Sequence, residues 1–370
     1  MELIATCAFG LEKLLYDEIK KLGLWVVKTE DGRVIFKGEQ EDIARANLWL
    51  RTAERVYIKL GEFEAQTFDE LFDATFALDW LKILPPAATF PVLCSTSHSM
   101  LHNEPAIQSI VKKAIVKKLQ TERDQNPLPE TGPTYSILTR FHKDICTLGL
   151  DTTGDSLHKR GYRPQATLAP IKETLAAALV LLSDWKHEEI LVDPFCGSGT
   201  ILIEAAMIAQ NIAPGMNRNF SFQKWTDFDP KILPKLIANA TEQRKQLDLK
   251  IYGYDLDQHA IKIARDSGHN AGVKIYFEQA DVHELDFEKM DNVTIITNPP
   301  YGERLSETVE VEKLYTDLGQ LFAKAKNTSL YLITSHPDFQ KVFGRMAFKN
   351  RKLFNGKIKC YLYQYPKQKS

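Results

Sequence analysis

Apolar and polar positions alternate with two different periods along the first half of the chain. Residues 2–8 alternate as in a strand, 10–23 have the helical spacing of an amphipathic helix, and 25–38 have the pattern of a hairpin turning at Asp31-Gly32. The same criteria predict helices at 40–50, 67–81 and 104–123 and strands at 55–63, 89–99, 135–144 and 145–155. The first half is therefore predicted to be built of small α/β units.

From Ile171 onward, apolar strand patterns alternate with amphipathic helix patterns. Helices are predicted to begin at Ser198, at Gln258 and near Val309, each after an apolar strand. This order predicts an α/β domain with a doubly wound parallel sheet. The polar, basic segment 156–170, rich in turn residues, is predicted to be the linker between the two halves, and no role is assigned to the long insertion at 212–249.

Composition narrows the class of protein. A chain of 370 residues predicts two or three domains, and a net charge of −1 means that any nucleic-acid surface is a local patch. The five cysteines are scattered without a C-x-x-C pair, which favours reduced thiols in the cytoplasm. The sequence shows no membrane-length apolar run, no signal-peptide pattern and no metal-binding spacing among its nine histidines, so we expect neither membrane nor metal partners.

The stretch TIITNPPYGERL at 294–305 indicates chemistry. An apolar strand runs into Asn298-Pro299-Pro300-Tyr301, where prolines end the strand and stiffen the following corner. The amide oxygen of Asn298 and the carbonyl of Pro299 can both accept hydrogen bonds from one exocyclic amino group. Those bonds strengthen as the nitrogen becomes tetrahedral during attack on an electrophile, and Tyr301 offers a ring on which a planar base can stack.

Three upstream segments end predicted strands with acidic residues. Asp193 precedes a turn with Gly197 and Gly199, which suits a ligand with a positive amine or sulfonium better than a pyrophosphate. Asp255 is predicted to bind ribose hydroxyls, and Asp257 is predicted to cap the next helix. The last of the three acids, at position 281, would accept a hydrogen bond from an adenine amino group.

Together these segments resemble the class I S-adenosylmethionine (SAM)-dependent methyltransferases that modify exocyclic amino nitrogens. The resemblance spans about residues 165–370 and implies a seven-stranded Rossmann-like domain with SAM as cofactor. It implies a catalytic Asn298-Pro299-Pro300-Tyr301 tetrapeptide. The cofactor-binding residues that it implies are Asp193, Pro194, Cys196, Gly197, Gly199, Thr200, Asp255 and Asp281.

Two further segments, 90–120 and 145–180, resemble the bacterial THUMP-domain methyltransferases. That resemblance implies a ferredoxin-like domain at 1–60, a THUMP RNA-binding domain at 61–155, a linker at 156–170 and the methyltransferase domain at 171–370. The best-known members of that family methylate guanine N2 in 23S ribosomal RNA, so the implied partner is large-subunit ribosomal RNA or its assembly intermediate. Many relatives are fused to a second methyltransferase, which is not found in this sequence.

Basic residues in the first half are predicted to contact RNA phosphates. Those predicted to do so are Lys112, Lys113, Lys117, Lys118, Lys159, Arg160 and Arg163. Three alternatives to guanine-N2 methylation remain: N6-adenine methylation of DNA or RNA, N5 methylation of a protein glutamine, and an RNA-binding or assembly factor without catalysis. The tetrapeptide does not distinguish guanine from adenine.

Overall fold

The computed structural model describes residues 1–163, 171–289, 292–302 and 305–367, so the last seven residues of the predicted linker, 164–170, lie outside the described residues. The first half contains seven strands, β1–β7, at Glu2–Cys7, Trp25–Glu30, Arg33–Lys37, Ala53–Glu64, Val92–Ser97, Ile137–His142 and Ile145–Asp151. It contains helices α1–α5 at Glu12–Lys21, Gln40–Trp49, Phe68–Phe76, Trp80–Ile83 and Glu104–Arg123.

The seven strands of the first half form one sheet in the order β2-β3-β1-β4-β7-β6-β5. Strand β4 joins the ferredoxin-like and THUMP portions, because it pairs with β1 on one side and β7 on the other. The predicted boundary between residues 60 and 61 falls inside this strand, so the two portions share one continuous sheet.

The second half contains strands β8–β14 at Ile190–Asp193, Ile251–Asp255, Tyr276–Gln279, Val293–Thr297, Thr328–Thr334, Lys349–Asn355 and Ile358–Tyr365. Its helices α6–α11 are at Glu173–Leu182, Thr200–Ala209, Ile232–Glu242, Gln258–Asn270, Leu305–Lys324 and Phe339–Phe343. The sheet order is β10-β9-β8-β11-β12-β14-β13. Strands β8–β12 pair in parallel, as predicted for a doubly wound sheet, and β14 runs antiparallel to both β12 and β13.

The insertion at 212–249 packs the two halves together. The Trp225 ring stacks on Tyr135 with centroids 5.0 Å apart, and its indole Nε1 donates to the Thr134 carbonyl at 3.2 Å. Gly215 N–H donates to the Leu48 carbonyl at 2.9 Å. Buried aromatic stacking of this kind adds to the apolar area removed from water. The insertion at 212–249, to which the sequence assigned no role, therefore connects the two halves through packing and hydrogen bonds.

Candidate active site

The acidic residues and the tetrapeptide meet at one edge of the second sheet. Asp193 and Asp255 are the last residues of the neighbouring parallel strands β8 and β9, and Asn298 directly follows β11 on the other side of β8. The chain passes from β8 to β9 on one side and returns to β11 on the other, so β8 and β11 form the topological switch point. Ligands of open α/β sheets bind at the carboxyl ends of strands at such a point.

The turn after β8 depends on its glycines. Gly197 and Gly199 have φ angles of +52° and +75°, which side chains rarely adopt. A Cβ at Gly199 would also lie 2.7 Å from the Phe277 ring, so the helix that begins at Thr200 approaches β10 closely only with glycine there. At Gly197 no atom of the described residues, apart from its chain neighbours, lies within 4 Å of the position that a Cβ would take, which leaves room for a ligand beside this backbone.

In this turn, Pro194 and Cys196 are buried and Phe195 is half-buried. Pro194 follows the strand end directly, and the Cys196 amide donates to the Tyr254 carbonyl at 2.9 Å, which joins the turn to β9. Burial raises the pKa of the Cys196 thiol well above its ordinary value, so the group stays neutral and serves as packing rather than as a nucleophile.

Asp193 links the glycine turn to the tetrapeptide. Its carboxylate is 1% exposed, and Oδ1 accepts hydrogen bonds from Thr297 Oγ1 at 2.7 Å and from Phe195 N–H at 3.1 Å. Burial, together with the negative charge of Asp255, raises the pKa of Asp193 to about 7. A cation held beside it would favour the ionised form, so this carboxyl is suited to a positively charged ligand.

Asp255 and Asp257 have separate roles, as predicted for Asp257. The Asp257 carboxylate accepts from the His259 N–H at 2.8 Å, which caps the helix α9 and confirms that part of the prediction. Asp255 instead accepts from Gly197 N–H at 2.8 Å through Oδ2 and from Asp257 N–H at 3.0 Å through Oδ1. Each carboxylate oxygen retains a second lone pair, so Asp255 can hold the glycine turn and still accept ribose hydroxyls.

Asp281 lies after β10, next along the same edge. Its Oδ1 accepts from the His283 backbone N–H at 2.9 Å and lies 2.5 Å from His283 Nδ1, while His283 Nε2 lies 3.0 Å from Asp317 Oδ2. The His283 backbone bond and then its ring hold the pKa of Asp281 below its ordinary value. Each carboxylate oxygen has two lone pairs, so Asp281 can cap this turn and still accept from an adenine amino group.

The tetrapeptide is held by tyrosine hydroxyls. Tyr301 OH donates to Asn298 Oδ1 at 2.5 Å, and Tyr315 OH donates to the Pro300 carbonyl at 2.6 Å. Pro299 is buried and Pro300 is exposed. Burial raises the pKa of Tyr301, so its hydroxyl remains a donor at neutral pH. The amide of Asn298 is therefore oriented before any substrate arrives.

Several side chains that contact the tetrapeptide or Asp193 were not identified from the sequence. Asn355 Nδ2 lies 3.5 Å from Tyr301 OH, and Cys360 Sγ lies 3.7 Å from the same oxygen. Thr297, which bonds Asp193, could have been found as the polar end of an apolar strand. Tyr315 could not, because it occupies an ordinary apolar position of a helix and only the fold brings it to Pro300.

The lysines predicted to bind RNA differ in their surroundings. Lys112 Nζ is 2.6 Å from Glu130 Oε2 and 3.4 Å from the Phe90 ring centroid, so its charge is already paired within the THUMP portion. Lys118 pairs with Glu122 at 3.0 Å, whereas Lys113 and Lys117 are exposed on α5. Lys159 is exposed and pairs with Asp155 at 2.9 Å. Lys113 and Lys117 are thus the members of this group best placed to meet phosphates.

Both predicted RNA-binding arginines pair with carboxylates of the second half; the burial of Arg160 corrects the prediction for that residue, whereas Arg163 is half-buried. Arg160 is 2% exposed; its Nε lies 3.3 Å from the buried Glu204 Oε1, and its Nη2 donates to the Arg51 carbonyl at 2.5 Å. Arg163 Nη2 donates to Thr200 Oγ1 at 2.8 Å and lies 3.2 Å from Glu173 Oε1. A buried charge requires a partner, and these arginines find theirs on the helices of the second half.

The donor set fits SAM. The Asp193 carboxyl beside the glycine turn suits the amino group of the methionine part, Asp255 suits the ribose diol, and the Asp281 carboxylate suits the adenine amine. No group of three or more His, Cys, Asp or Glu side chains able to hold a metal occurs among the described residues. In the same part of the chain, no helix is both long and apolar enough to cross a membrane.

Comparisons with known proteins agree with this assignment. The glycine turn, the strand-end acids and the sheet order define a SAM-dependent methyltransferase. Residues 160–364 match the model of the RMKL-like methyltransferase domain, residues 2–57 the RlmL ferredoxin-like domain, and residues 65–151 the THUMP domain. The chain belongs to the RMKL-like methyltransferase family, uses SAM as its cofactor, and has the ferredoxin-like, THUMP and methyltransferase organisation that the sequence predicts.

Relatives cover the chain from end to end. A Bacillus subtilis (strain 168) protein, the proposed RNA methyltransferase YpsC, is 44% identical over 98% of this chain and 95% of its own length. The ribosomal RNA large subunit methyltransferase K/L of Syntrophotalea carbinolica is 35% identical over 99% of this chain, which spans only 53% of that relative. The crystal structure of SMU.472 complexed with SAH (S-adenosylhomocysteine) superposes on this protein with a TM-score of 0.93. The two sequences are 46% identical, and the match covers 100% of this chain and 98% of that one.

Proposed function

We propose that this protein transfers the methyl group of SAM to the exocyclic N2 amino group of a guanine in 23S ribosomal RNA. The observation that carries the proposal is the tetrapeptide at the switch point, with Asn298 Oδ1 held by Tyr301 OH at 2.5 Å. The ribosomal substrate is supported by the THUMP match and by the names of the K/L relatives.

The chemistry follows from how the amine is held. Bound SAM supplies an electrophilic methyl group on a sulfonium. Asn298 Oδ1 and the Pro299 carbonyl each accept one hydrogen of the amino group, which turns its lone pair out of the base plane. The new N–C bond forms as the S–C bond breaks, S-adenosylhomocysteine leaves, and the proton departs afterwards. Interactions that strengthen in the transition state in this way raise kcat.

The remaining choices concern the substrate. N6-adenine methylation uses the same acceptors, so guanine rests on the family resemblance and not on the loop. Methylation of a protein glutamine would not account for the THUMP portion. A role without catalysis would not account for the orientation of the Asn298 amide. We place the protein in the cytoplasm with ribosomal RNA or its assembly intermediate as partner.

Comparing ribosomal RNA from cells with and without the gene tests this proposal. Nucleosides of the 23S RNA should contain N2-methylguanosine that is missing from the deletion strain and restored by the wild-type gene but not by Asn298→Ala. If the deletion strain instead lacks an N6-methyladenosine that the wild type contains, the methylated base is adenine and not guanine. Identical nucleoside profiles in the two strains would contradict ribosomal RNA as the substrate.

A further inference from the structure

The end of the chain differs in charge from the rest. Residues 339–370 contain nine Lys or Arg residues and no Asp or Glu, although the whole chain has a net charge of −1. Elsewhere exposed lysines often have a carboxylate beside them, as in Lys28–Glu30 at 2.6 Å and Lys82–Asp79 at 2.7 Å. Lys352 and Lys359 in strands β13 and β14 have no ion pair in the described part of the chain, and both are exposed.

These two lysines alternate with aromatic rings on one face of a hairpin. Strands β13 and β14 are joined by a two-residue turn, and their register places Lys352 opposite Tyr361 and Phe354 opposite Lys359. Residues two apart on a strand share a face, so all four side chains lie on the same side. Lys352 Nζ is 5.3 Å from the Phe354 ring centroid, and Lys359 Nζ is 5.3 Å from that of Tyr361. We name these four side chains the basic–aromatic patch.

The hairpin that carries the patch adjoins the active site. Asn355, whose side chain lies on the opposite face of β13 from Phe354, places its Nδ2 3.5 Å from Tyr301 OH, so the tetrapeptide meets the other face of the same hairpin. Tyr361 pairs with Thr334, the last residue of β12, so the hairpin turn projects at the carboxyl edge where the tetrapeptide lies.

The patch also continues onto the first half of the chain. The Phe9 ring, which is 53% exposed, makes an edge contact with Phe354 at a centroid distance of 6.2 Å. Arg351 Nη2 donates to the Gly10 carbonyl at 2.6 Å, which fixes the hairpin against the loop after β1. A ligand on the patch would therefore lie beside the carboxyl edge of the second sheet and reach the ferredoxin-like portion.

We propose that the basic–aromatic patch binds the single-stranded RNA segment next to the methylated nucleotide. Partly exposed rings offer stacking surfaces for unpaired bases, and unpaired lysines between them offer charge for the intervening phosphates. In a duplex the bases are stacked on one another and unavailable to the rings. The position next to the methylated nucleotide rests on the proposed function, whereas binding of single-stranded RNA does not.

The test measures binding of a fluorescent single-stranded RNA oligonucleotide of mixed sequence to the full-length protein across a KCl series. Lys352→Ala/Lys359→Ala should lower the steepness of log K against log salt by about 1.4, since each lost phosphate contact on a single strand removes about 0.7. Phe354→Ala should weaken binding by roughly 5- to 150-fold, the loss of one stacked base, with the salt dependence unchanged. Phe354→Tyr should bind as the wild type does.

The matched control is Lys250→Ala/Lys274→Ala, which removes the same charge. These exposed lysines precede β9 and β10 and so lie at the amino ends of the strands, away from the catalytic edge. Equal losses in the control and patch variants would overturn the proposal, as would equal binding of a polyglutamate peptide of the same charge. A loss that is as large for duplex RNA as for the single strand would overturn it too. Thermal unfolding and SAH binding confirm that each variant is folded.

Methyl transfer by the wild type, measured in parallel, separates this proposal from the proposed function. If ribosomal RNA receives no methyl group but the patch variants still lose oligonucleotide binding, the patch stands and the function fails. If transfer proceeds and the patch variants keep the wild-type kcat/KM and oligonucleotide affinity, the function stands and the patch proposal is wrong.

Discussion

Asp255 and Asp257 are two acids in one turn, and their contacts predict opposite consequences of removing them. Asp255 accepts from Gly197 N–H at 2.8 Å and is the residue that we propose binds the ribose, whereas Asp257 accepts from His259 N–H at 2.8 Å and caps α9. We predict that Asp255→Ala weakens cofactor binding and that Asp257→Ala lowers stability.

The magnitudes follow from the bonds lost. A hydrogen bond to a charged group contributes about 1.5–3 kcal/mol, so losing one such bond to the ribose should weaken SAH binding by roughly 10- to 150-fold. Loss of an N-cap costs about 0.5–2 kcal/mol, which lowers Tm by roughly 1–3 °C in a chain of 370 residues. Asp257→Ala should keep the wild-type Kd for SAH to within about a factor of three.

Isothermal titration with SAH and thermal unfolding of the ligand-free protein provide the two readouts. Asp255→Asn retains a carbonyl to accept from Gly197 N–H, so its affinity should lie between those of the wild type and Asp255→Ala. The reasoning is refuted if Asp257→Ala weakens SAH binding as much as Asp255→Ala does, or if Asp255→Ala binds SAH as the wild type does.

Three further predictions address catalysis, pH dependence and the joint between the halves. Tyr301→Phe should lower kcat for methyl transfer roughly 5- to 150-fold, since Asn298 loses its orienting bond, with the SAH Kd unchanged; a parallel loss of SAH binding would count against this role. Because the pKa of Asp193 is raised to about 7, SAM affinity should increase as pH rises toward 7 and then level off. The free energy of unfolding of the ligand-free protein should fall as pH rises from the ordinary carboxyl pKa, about 4, through 7. Asp193→Asn should flatten both profiles, and unchanged profiles in this variant would contradict the assignment. Arg160→Met should destabilise the protein by about 3–5 kcal/mol in denaturant unfolding because it leaves Glu204 buried without its partner, and a surface-like effect below about 0.5 kcal/mol would show that the pair is unimportant.

The candidate site was predictable from sequence because its signals are local. Prolines after an apolar strand fix where the strand ends, so Asn298 had to lie at a strand's carboxyl end. Asp257 stands directly before a helical pattern, and capping depends on that adjacency alone. The same locality explains why the glycine turn and the order of the strand-end acids could be recognised in the sequence alone.

Features set by tertiary packing were not predictable. The helix predicted at 67–81 divides into α3 and α4, because Trp80 turns inward and its indole Nε1 donates to the Thr75 carbonyl at 2.8 Å. Arg160 resembles a surface charge in the sequence because its partner, Glu204, is remote along the chain. Strand β13 was missed because only Leu353 of its seven residues is buried, as befits an edge strand whose other positions resemble a basic loop.

The central claim is methyl transfer to a guanine amino group by a pre-oriented Asn298. The most direct measurement supplies purified enzyme and labelled SAM with deproteinised ribosomal RNA from the deletion strain, then digests the RNA and identifies the labelled nucleoside. We predict labelled N2-methylguanosine with the wild type and almost none with Asn298→Ala, although both bind SAH equally. Label in another nucleoside, or equal transfer by Asn298→Ala, would contradict the account.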